Sequence, residues 1–364
     1  MKKLTSKISY ILASLACLLF SFNFFGCTAF YDIEEYQFFN TIITVQVENK
    51  KLSSSVKQDL NELFDSLDKG FDRNNQSSFT NTFNNASLNQ TFELTTTQAQ
   101  VLSLSLDSHA YSNGLFDPSI YPLLEVWQFA PNYPAPNFTP PTHSAIESVL
   151  TNKQNLTKLQ YDSEQKTLTK NIDIKLDFGG ILKGYAVQSA GEILKDNGYQ
   201  KGYISIGGSS LYILSSPTLS VRHPDKIGQN LIEVKLSNLT NVSLSTSGDY
   251  EKYYTDKTTG QRYSHIINPI TGYPTDTGVR SATIIGGNGA FSDAITTSCL
   301  LQEYSPSDAE NSSLVKFLQK IINDGKANIV FAVYCKDGVN QIITNAKKGE
   351  DFTLLDTDYS VVNI

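Results

Sequence analysis

Apolar and polar positions alternate along this chain with two distinct periods. Thr41-Ile-Ile-Thr-Val-Gln-Val47 is dense in β-branched residues and predicts a strand. Val56, Leu60, Leu63, Phe64 and Leu67 fall at helical spacing and predict an amphipathic helix over 56–67. The Asn/Ser-rich stretch Asn74–Asn89 reads as loop, and Thr97–Ser112 reads as helix. Five prolines, Pro131, Pro134, Pro136, Pro140 and Pro141, predict a long surface loop rather than a linker, because patterned sequence resumes directly after them. Beyond it the pattern predicts strands at Ile172–Leu176, Tyr203–Ile206, Ser281–Ile285 and Asn328–Tyr334. Helices are predicted at Lys183–Asn197, with Gly198 as cap, at Phe291–Gln302 and at Ser313–Asn323. No repeat is visible, and strands and helices mix without strict βαβ alternation, so the expected class is α+β.

The N-terminus breaks this pattern. Lys2, Lys3 and Lys7 precede an uncharged apolar run from Ile8 to Phe25, which ends in Gly26-Cys27. A basic start, an apolar core and a small residue at the cut describe a secretory signal. The cysteine directly after the small residue resembles the lipobox of bacterial lipoproteins. The alternative is an uncleaved anchor, since the run is almost long enough to span a bilayer. The expected organisation is a lipoprotein signal peptide over 1–26, a tether over 27–37 and one large catalytic unit over 38–364. The folded part is expected outside the cytoplasm, lipid-anchored to a bacterial membrane through Cys27, on the periplasmic face.

Composition narrows the classes. Loss of the signal's three lysines takes the net charge from −7 to about −10, with no basic blocks, which argues against a nucleic-acid partner. Cys299 and Cys335 are too few for a disulfide framework, and nothing has zinc spacing. They could pair with each other, but buried free thiols are the expectation.

Four segments carry chemistry. Asp177-Phe-Gly-Gly-Ile-Leu-Lys-Gly-Tyr-Ala186 leads from an extended segment through paired glycines into a helix start, where amides and Lys183 can meet an anion. Leu244-Ser-Thr-Ser-Gly-Asp-Tyr250 concentrates hydroxyls that can face a phosphate or ribose. Asp293 and Thr297 lie four apart on a predicted helix, hence on one face, as a carboxylate and a hydroxyl suited to Mg²⁺. Tyr263-Ser-His-Ile-Ile-Asn-Pro-Ile-Thr-Gly-Tyr-Pro274 holds His265, one of four histidines, just before a Pro/Gly turn. Histidine is the side chain best suited to proton transfer near neutral pH. Each segment alone also has a plain structural reading: an ordinary strand–helix turn, a helix acid favoured by the dipole, a histidine that merely packs. Trp127, the single tryptophan, reads as a core anchor, and Asp117 before Pro118 as a turn residue.

Taken together and in order, these segments resemble the ApbE family, flavin transferases that move FMN from FAD onto a protein. The matching blocks begin at Gly114, Asp177, Ile206, Thr246, Tyr263 and Ser292, and the resemblance covers nearly the whole mature chain. It implies an ApbE-like, T-fold-like α+β fold of mixed sheets with packed helices, Mg²⁺ dependence and FAD as substrate. It further implies Asp293, Thr297 and the Gly180 carbonyl as Mg²⁺ ligands, and His265, with Asp293, as catalytic residues. Phe39, Asn40, Thr41, Leu115, Phe116, Asp117, Lys183, Thr246, Ser247 and His265 would contact the flavin nucleotide. Phe39-Asn40-Thr41 stands where the family usually has Met-Gly-Thr, Leu182 stands where it usually has alanine, and its serine-rich segment is matched loosely at Ser78–Asn84. The implied reaction joins FMN to a Thr or Ser hydroxyl of an extracytoplasmic flavoprotein subunit of a membrane redox complex, releasing AMP. Two other readings use the same residues: a FAD pyrophosphatase and a non-catalytic flavin-binding lipoprotein.

Overall fold

The computed structural model describes residues 30–131, 133–215, 218–236 and 239–364; the signal segment 1–26 and Cys27 lie outside the described residues. Its centre is a nine-stranded sheet. In spatial order, numbered along the chain, the strands are β1 (Tyr31–Phe38), β2 (Thr41–Glu48), β6 (Gly202–Ile206), β7 (Ser210–Ser215), β10 (Thr240–Gly248), β13 (Val279–Ile285), β14 (Ile329–Lys336), β15 (Val339–Thr344) and β17 (Ser360–Asn363). Neighbours are antiparallel except β15 and β17, which run parallel.

One face of this sheet is covered by helices: α1 (Ser54–Phe71), α3 (Thr96–Tyr111), α6 (Leu182–Asp196), α7 (Gly289–Leu300) and α8 (Ser313–Asn323). The other face packs on a small sheet of β8 (Thr218–Arg222), β9 (Asn230–Lys235) and β16 (Phe352–Leu354). Period-two alternation feeds both layers. In β14, Val330, Ala332 and Tyr334 join the helical core, while Phe331 and Val333 join the core under the small sheet. Full burial of each such Val or Phe is worth roughly 1.5–3 kcal/mol, so a register slip here would be costly. Two further groups complete the fold: a sheet of β3 (Thr91–Glu93), β5 (Thr167–Thr169) and β4 (Gln160–Asp162), and a hairpin of β11 (Tyr253–Thr255) and β12 (Arg262–Ser264). The short helices are α2 (Phe79–Asn85), α4 (Tyr121–Val126) and α5 (His143–Asn152). Among the described residues no helix is long and apolar enough to cross a membrane.

Three expectations need correction. Residues 31–37, assigned to the tether, form most of β1, which pairs along its length with β2; Tyr36 and Phe38 pack on Phe64 of α1. The stretch 74–89 is not all loop: Ser78 caps α2 by accepting from the Asn81 amide, and Phe79 and Phe83 are buried. Ile172–Leu176 belongs to no strand or sheet. A side chain takes the place of a partner strand, because Asn84 accepts from the Leu176 amide at 2.7 Å and donates to the Leu176 carbonyl at 2.9 Å. The remaining predicted helices and strands are present within a few residues of their expected bounds. Trp127 is buried and donates to the Gly272 carbonyl at 2.8 Å. Cys299 and Cys335 are free thiols, the first fully buried and the second partly so.

Candidate active site

The paired-glycine turn is held from several sides. Asp177 Oδ1 accepts from the Gly179 amide at 2.8 Å, and Asp177 Oδ2 pairs with Arg73. The Asp177 amide donates to the Pro118 carbonyl at 2.7 Å, which ties this turn to the 114–118 block. A Cβ on Gly180 would come within 3.2 Å of the Phe116 ring, so Gly180 and Phe116 are close neighbours. His109 Nδ1 donates to the Phe116 carbonyl at 2.9 Å and fixes that block in turn.

No side chain at its own N-cap, Ile181, caps α6. One of the helix's orphan amides instead finds a partner on another element, since Gly184 N–H donates to Asp293 Oδ2 at 2.9 Å. The approach depends on two glycines. A Cβ on Gly184 would lie 2.1 Å from the Gly289 carbonyl oxygen, and one on Gly289 would lie 2.4 Å from that of Gly184. The helices α6 and α7 therefore cross backbone to backbone, and Asp293 sits at the start of α6, where the helix dipole favours a negative charge.

Around Asp293 the sheet supplies hydroxyls. Ser210 of β7 donates to Asp293 Oδ1 at 3.4 Å. Ser247 of β10 lies 2.9 Å from the Thr296 hydroxyl and 3.2 Å from that of Thr297. Thr297 is the one residue of 291–300 that is not buried. Burial pushes the Asp293 carboxyl above its usual range, against the pull of Lys183, the Gly184 N–H and Ser210. A buried carboxylate with one long hydrogen bond on Oδ1 has lone pairs to offer a cation. Among the described residues no three His, Cys, Asp or Glu side chains cluster as a metal cage. The donors brought together are instead one carboxylate and hydroxyls, which fits a hard cation that keeps water or substrate oxygens in its shell.

Lys183 projects from the first turn of α6 and donates to Ser209 Oγ at 2.7 Å. Its charge is felt by both Asp293 and His265. His265 follows β12. Its amide and its Nδ1 both reach the Lys252 carbonyl, each at 3.0 Å. A carbonyl only accepts, so Nδ1 carries the proton and Nε2 is the free acceptor. Burial first, then the Lys252 ammonium and, more weakly, Lys183 push the imidazole down to about 4, against the opposing hydrogen bond to the Lys252 carbonyl. The turn beyond is rigid: Asn268 Oδ1 accepts from the amides of Ile270 and Thr271 at 2.8 and 3.2 Å, and Gly272 adopts φ 77°. A Cβ there would meet Ile146 at 2.5 Å.

Other predicted residues take different places. Phe39 and Asn40 form the two-residue turn between β1 and β2, both at φ 55°, and the Phe39 amide donates to Asp68 Oδ1 at 3.0 Å. Thr41 abuts Gly207, two residues from the Ser209 that binds Lys183. Leu115 packs against the α7–α8 core. The Asp117 carboxylate is already engaged, by the Ser119 amide at 2.7 Å, the Ser119 hydroxyl at 2.6 Å and Lys153 at 2.5 Å. Thr246 bonds to Thr283 across the strand pair at 2.9 Å, whereas Ser247, next along β10, faces α7. The structure thus groups Lys183, Ser247, Asp293 and Thr297, with His265 nearby, and leaves the Thr246 side chain outside that group. Ser209 ends the glycine turn Ile206-Gly-Gly-Ser209 that the sequence marks weakly, whereas Ser210, Lys252 and Arg73 were not singled out. The two serines directly follow Gly207-Gly208 and carried a readable signal; Lys252 acts through its carbonyl, which no sequence pattern marks.

The family model described as "ApbE family" matches residues 39–310. A protein of Haemophilus influenzae named FAD:protein FMN transferase is 25% identical over 242 residues, covering 64% of this chain and 69% of its own. Its namesake in Buchnera aphidicola subsp. Baizongia pistaciae is 30% identical over 209 residues, covering 56% of this chain and 60% of its own, so the chain spans less than two thirds of that relative. The solved structure of the flavin transferase ApbE from Vibrio cholerae superposes with TM-score 0.71 at 18% identity, covering 87% of this chain and 97% of that one. The ApbE protein of Thermotoga maritima gives 0.70 at 23% identity, covering 84% and 94%.

Proposed function

The chain belongs to the ApbE family, and from that premise we propose that it transfers FMN from FAD to a Ser or Thr hydroxyl of a target protein with release of AMP. Relatives named for this transfer support the coarse activity, and the α+β fold is theirs. The observation that carries the finer reading is the grouping of a buried carboxylate, Asp293, with Lys183 and with a histidine whose free nitrogen is an acceptor.

In this reading Asp293, Thr297 and the Gly180 carbonyl hold Mg²⁺. When bound, the ion supplies Lewis acidity and neutralises charge on the pyrophosphate. Lys183, at the start of α6, adds a second positive charge toward the phosphates, and the helix N-terminus adds its dipole. Phe116, Leu115 and the Phe39–Thr41 turn contact the flavin nucleotide. His265 Nε2 takes the proton of the acceptor hydroxyl as that oxygen attacks the FMN phosphorus and the bond to the AMP phosphate breaks. The low imidazole pKa keeps Nε2 unprotonated at neutral pH, and the Lys252 carbonyl holds the ring in the tautomer that makes Nε2 the base. Base assistance of this kind is worth roughly two to four powers of ten in rate.

The sequence of the N-terminus supports a further part of the reading: export and lipid anchoring at Cys27, which would keep the enzyme near exported or membrane-embedded flavoprotein targets and raise their effective concentration. The deciding experiment is intact-mass analysis of a purified acceptor domain incubated with the protein, FAD and Mg²⁺. A gain of one FMN supports transfer; FMN and AMP released with no adduct would mean hydrolysis instead.

A further inference from the structure

Arg73 stands outside every block that resembles the family, yet it touches the centre of the site. It follows α1, and its main chain is fixed by α2, because Asn81 donates to the Arg73 carbonyl at 2.7 Å. Its guanidinium pairs with Asp177 Oδ2, and both side chains are shielded, at 25% and 7% exposure. The other carboxylate oxygen of Asp177 caps the Gly179 amide. Helix α2 also fixes the opposite partner, since Asn84 clasps both backbone groups of Leu176, next to Asp177. Two residues of one short helix thus hold the two ends of a single ion pair. Arg73 Nε–H is buried and has no acceptor among the described residues. The guanidinium is therefore not placed to satisfy all its own donors; it pairs with Asp177 and lies over the Tyr121 ring, 5.6 Å from its centroid.

We propose that Arg73 is a positioning residue of the metal half of the site: it locks Asp177, Asp177 locks the Gly179–Gly180 turn, and the turn sets the direction of the Gly180 carbonyl. The proposal rests on the reading of Gly180 as a Mg²⁺ ligand. It extends the metal site to α2 and the end of α1, elements that carry no ligand. Outer partners that orient metal ligands typically change metal affinity about 10–100-fold when removed.

The test uses the whole folded chain, with Mn²⁺ as the probe metal, titrated by electron paramagnetic resonance in saturating FAD. FAD affinity is measured separately without divalent metal. Arg73→Met is expected to weaken Mn²⁺ binding about 10–100-fold while leaving metal-free FAD binding unchanged, and Arg73→Lys to restore part of the loss. Asp177→Asn keeps an oxygen for the Gly179 amide but breaks the ion pair, so it should weaken Mn²⁺ similarly. The double variant Arg73→Met/Asp177→Asn should be no worse than the weaker single, because both changes cut one link. Wild-type Mn²⁺ affinity in Arg73→Met would overturn the proposal, as would additive losses in the double variant, which would mean that the two residues act independently, or a loss of metal-free FAD binding, which would mean direct contact with the nucleotide. If Arg73→Met does not fold, Arg73→Lys and Asp177→Asn decide, and wild-type affinity in both overturns it. If the wild-type protein shows no FAD-linked Mn²⁺ binding, the metal assignment itself falls and takes this proposal with it.

Discussion

His265 is the residue on which the chemistry turns, and its environment makes a pH prediction. Burial and the Lys252 charge hold the imidazole at about 4, below its ordinary 6.5. Below its pKa the free enzyme loses its base, so the acid limb of kcat/KM should fall near pH 4; a limb near 6.5 would show that His265 is not so desolvated. The charged groups that depress it are Lys252 and Lys183. Lys252→Gln keeps the orienting carbonyl and removes the ammonium, so the limb should move up while the tautomer is retained; an unmoved limb contradicts this. The same shift bears on stability. The unfolded histidine binds a proton below about 6.5 and the native one only below about 4, so the unfolded state carries more protons in that window. The contribution is thus present above 6.5 and declines as pH falls toward 4. His265→Ala should lower transfer by roughly 10²–10⁴ while FAD still binds. Equilibrium dialysis of FAD beside a turnover assay checks both halves.

At the scale of elements, the close crossing of α6 and α7 decides whether Asp293 reaches the start of α6. Gly184→Ala forces a methyl against the Gly289 carbonyl. The expected cost is about 1–3 kcal/mol in denaturant unfolding, together with weakened metal dependence; wild-type stability would mean the helices slide apart freely. The sequence made α6, α7 and α8 legible because each runs three turns or more, long enough for helical composition and end signals to show. It hid α2, whose seven residues Phe-Thr-Asn-Thr-Phe-Asn-Asn are too few for a period and too rich in Asn; a Ser78 cap and two buried phenylalanines form it instead. It suggested a strand at 172–176 because β-branched alternation marks extended backbone, not the partner, which here is the Asn84 amide. Asn84→Ala leaves the Leu176 amide and carbonyl unpaired, and should cost about 1–3 kcal/mol. Thermal unfolding of the variant measures it.

For the molecule as a whole, the site was legible to the extent that it follows chain order. Gly180 with Lys183, His265, and Asp293 with Thr297 lie in three blocks whose succession could be read. Arg73, Ser210 and Lys252 enter through contacts between distant segments: Arg73 and Asp177 are 104 residues apart, and Ser210 and Asp293 are 83 apart. No local pattern records such pairings. Thr246 and Ser247 show the complementary limit, because hydroxyl content marked both and strand alternation sends them to opposite faces. The N-terminal sequence adds a cellular prediction. Cys27→Ala should abolish incorporation of labelled fatty acid; undiminished labelling would contradict a lipid anchor at that residue.

The central claim is transfer of FMN to protein. It is tested most directly by the intact mass of an acceptor domain after incubation with the protein, FAD and Mg²⁺, with AMP quantified in the same reaction. The account predicts one FMN joined through a phosphoester to a Ser or Thr side chain, AMP released in equal amount, and loss of both on chelation of the metal. FMN and AMP formed in equal amount with the acceptor mass unchanged would contradict it.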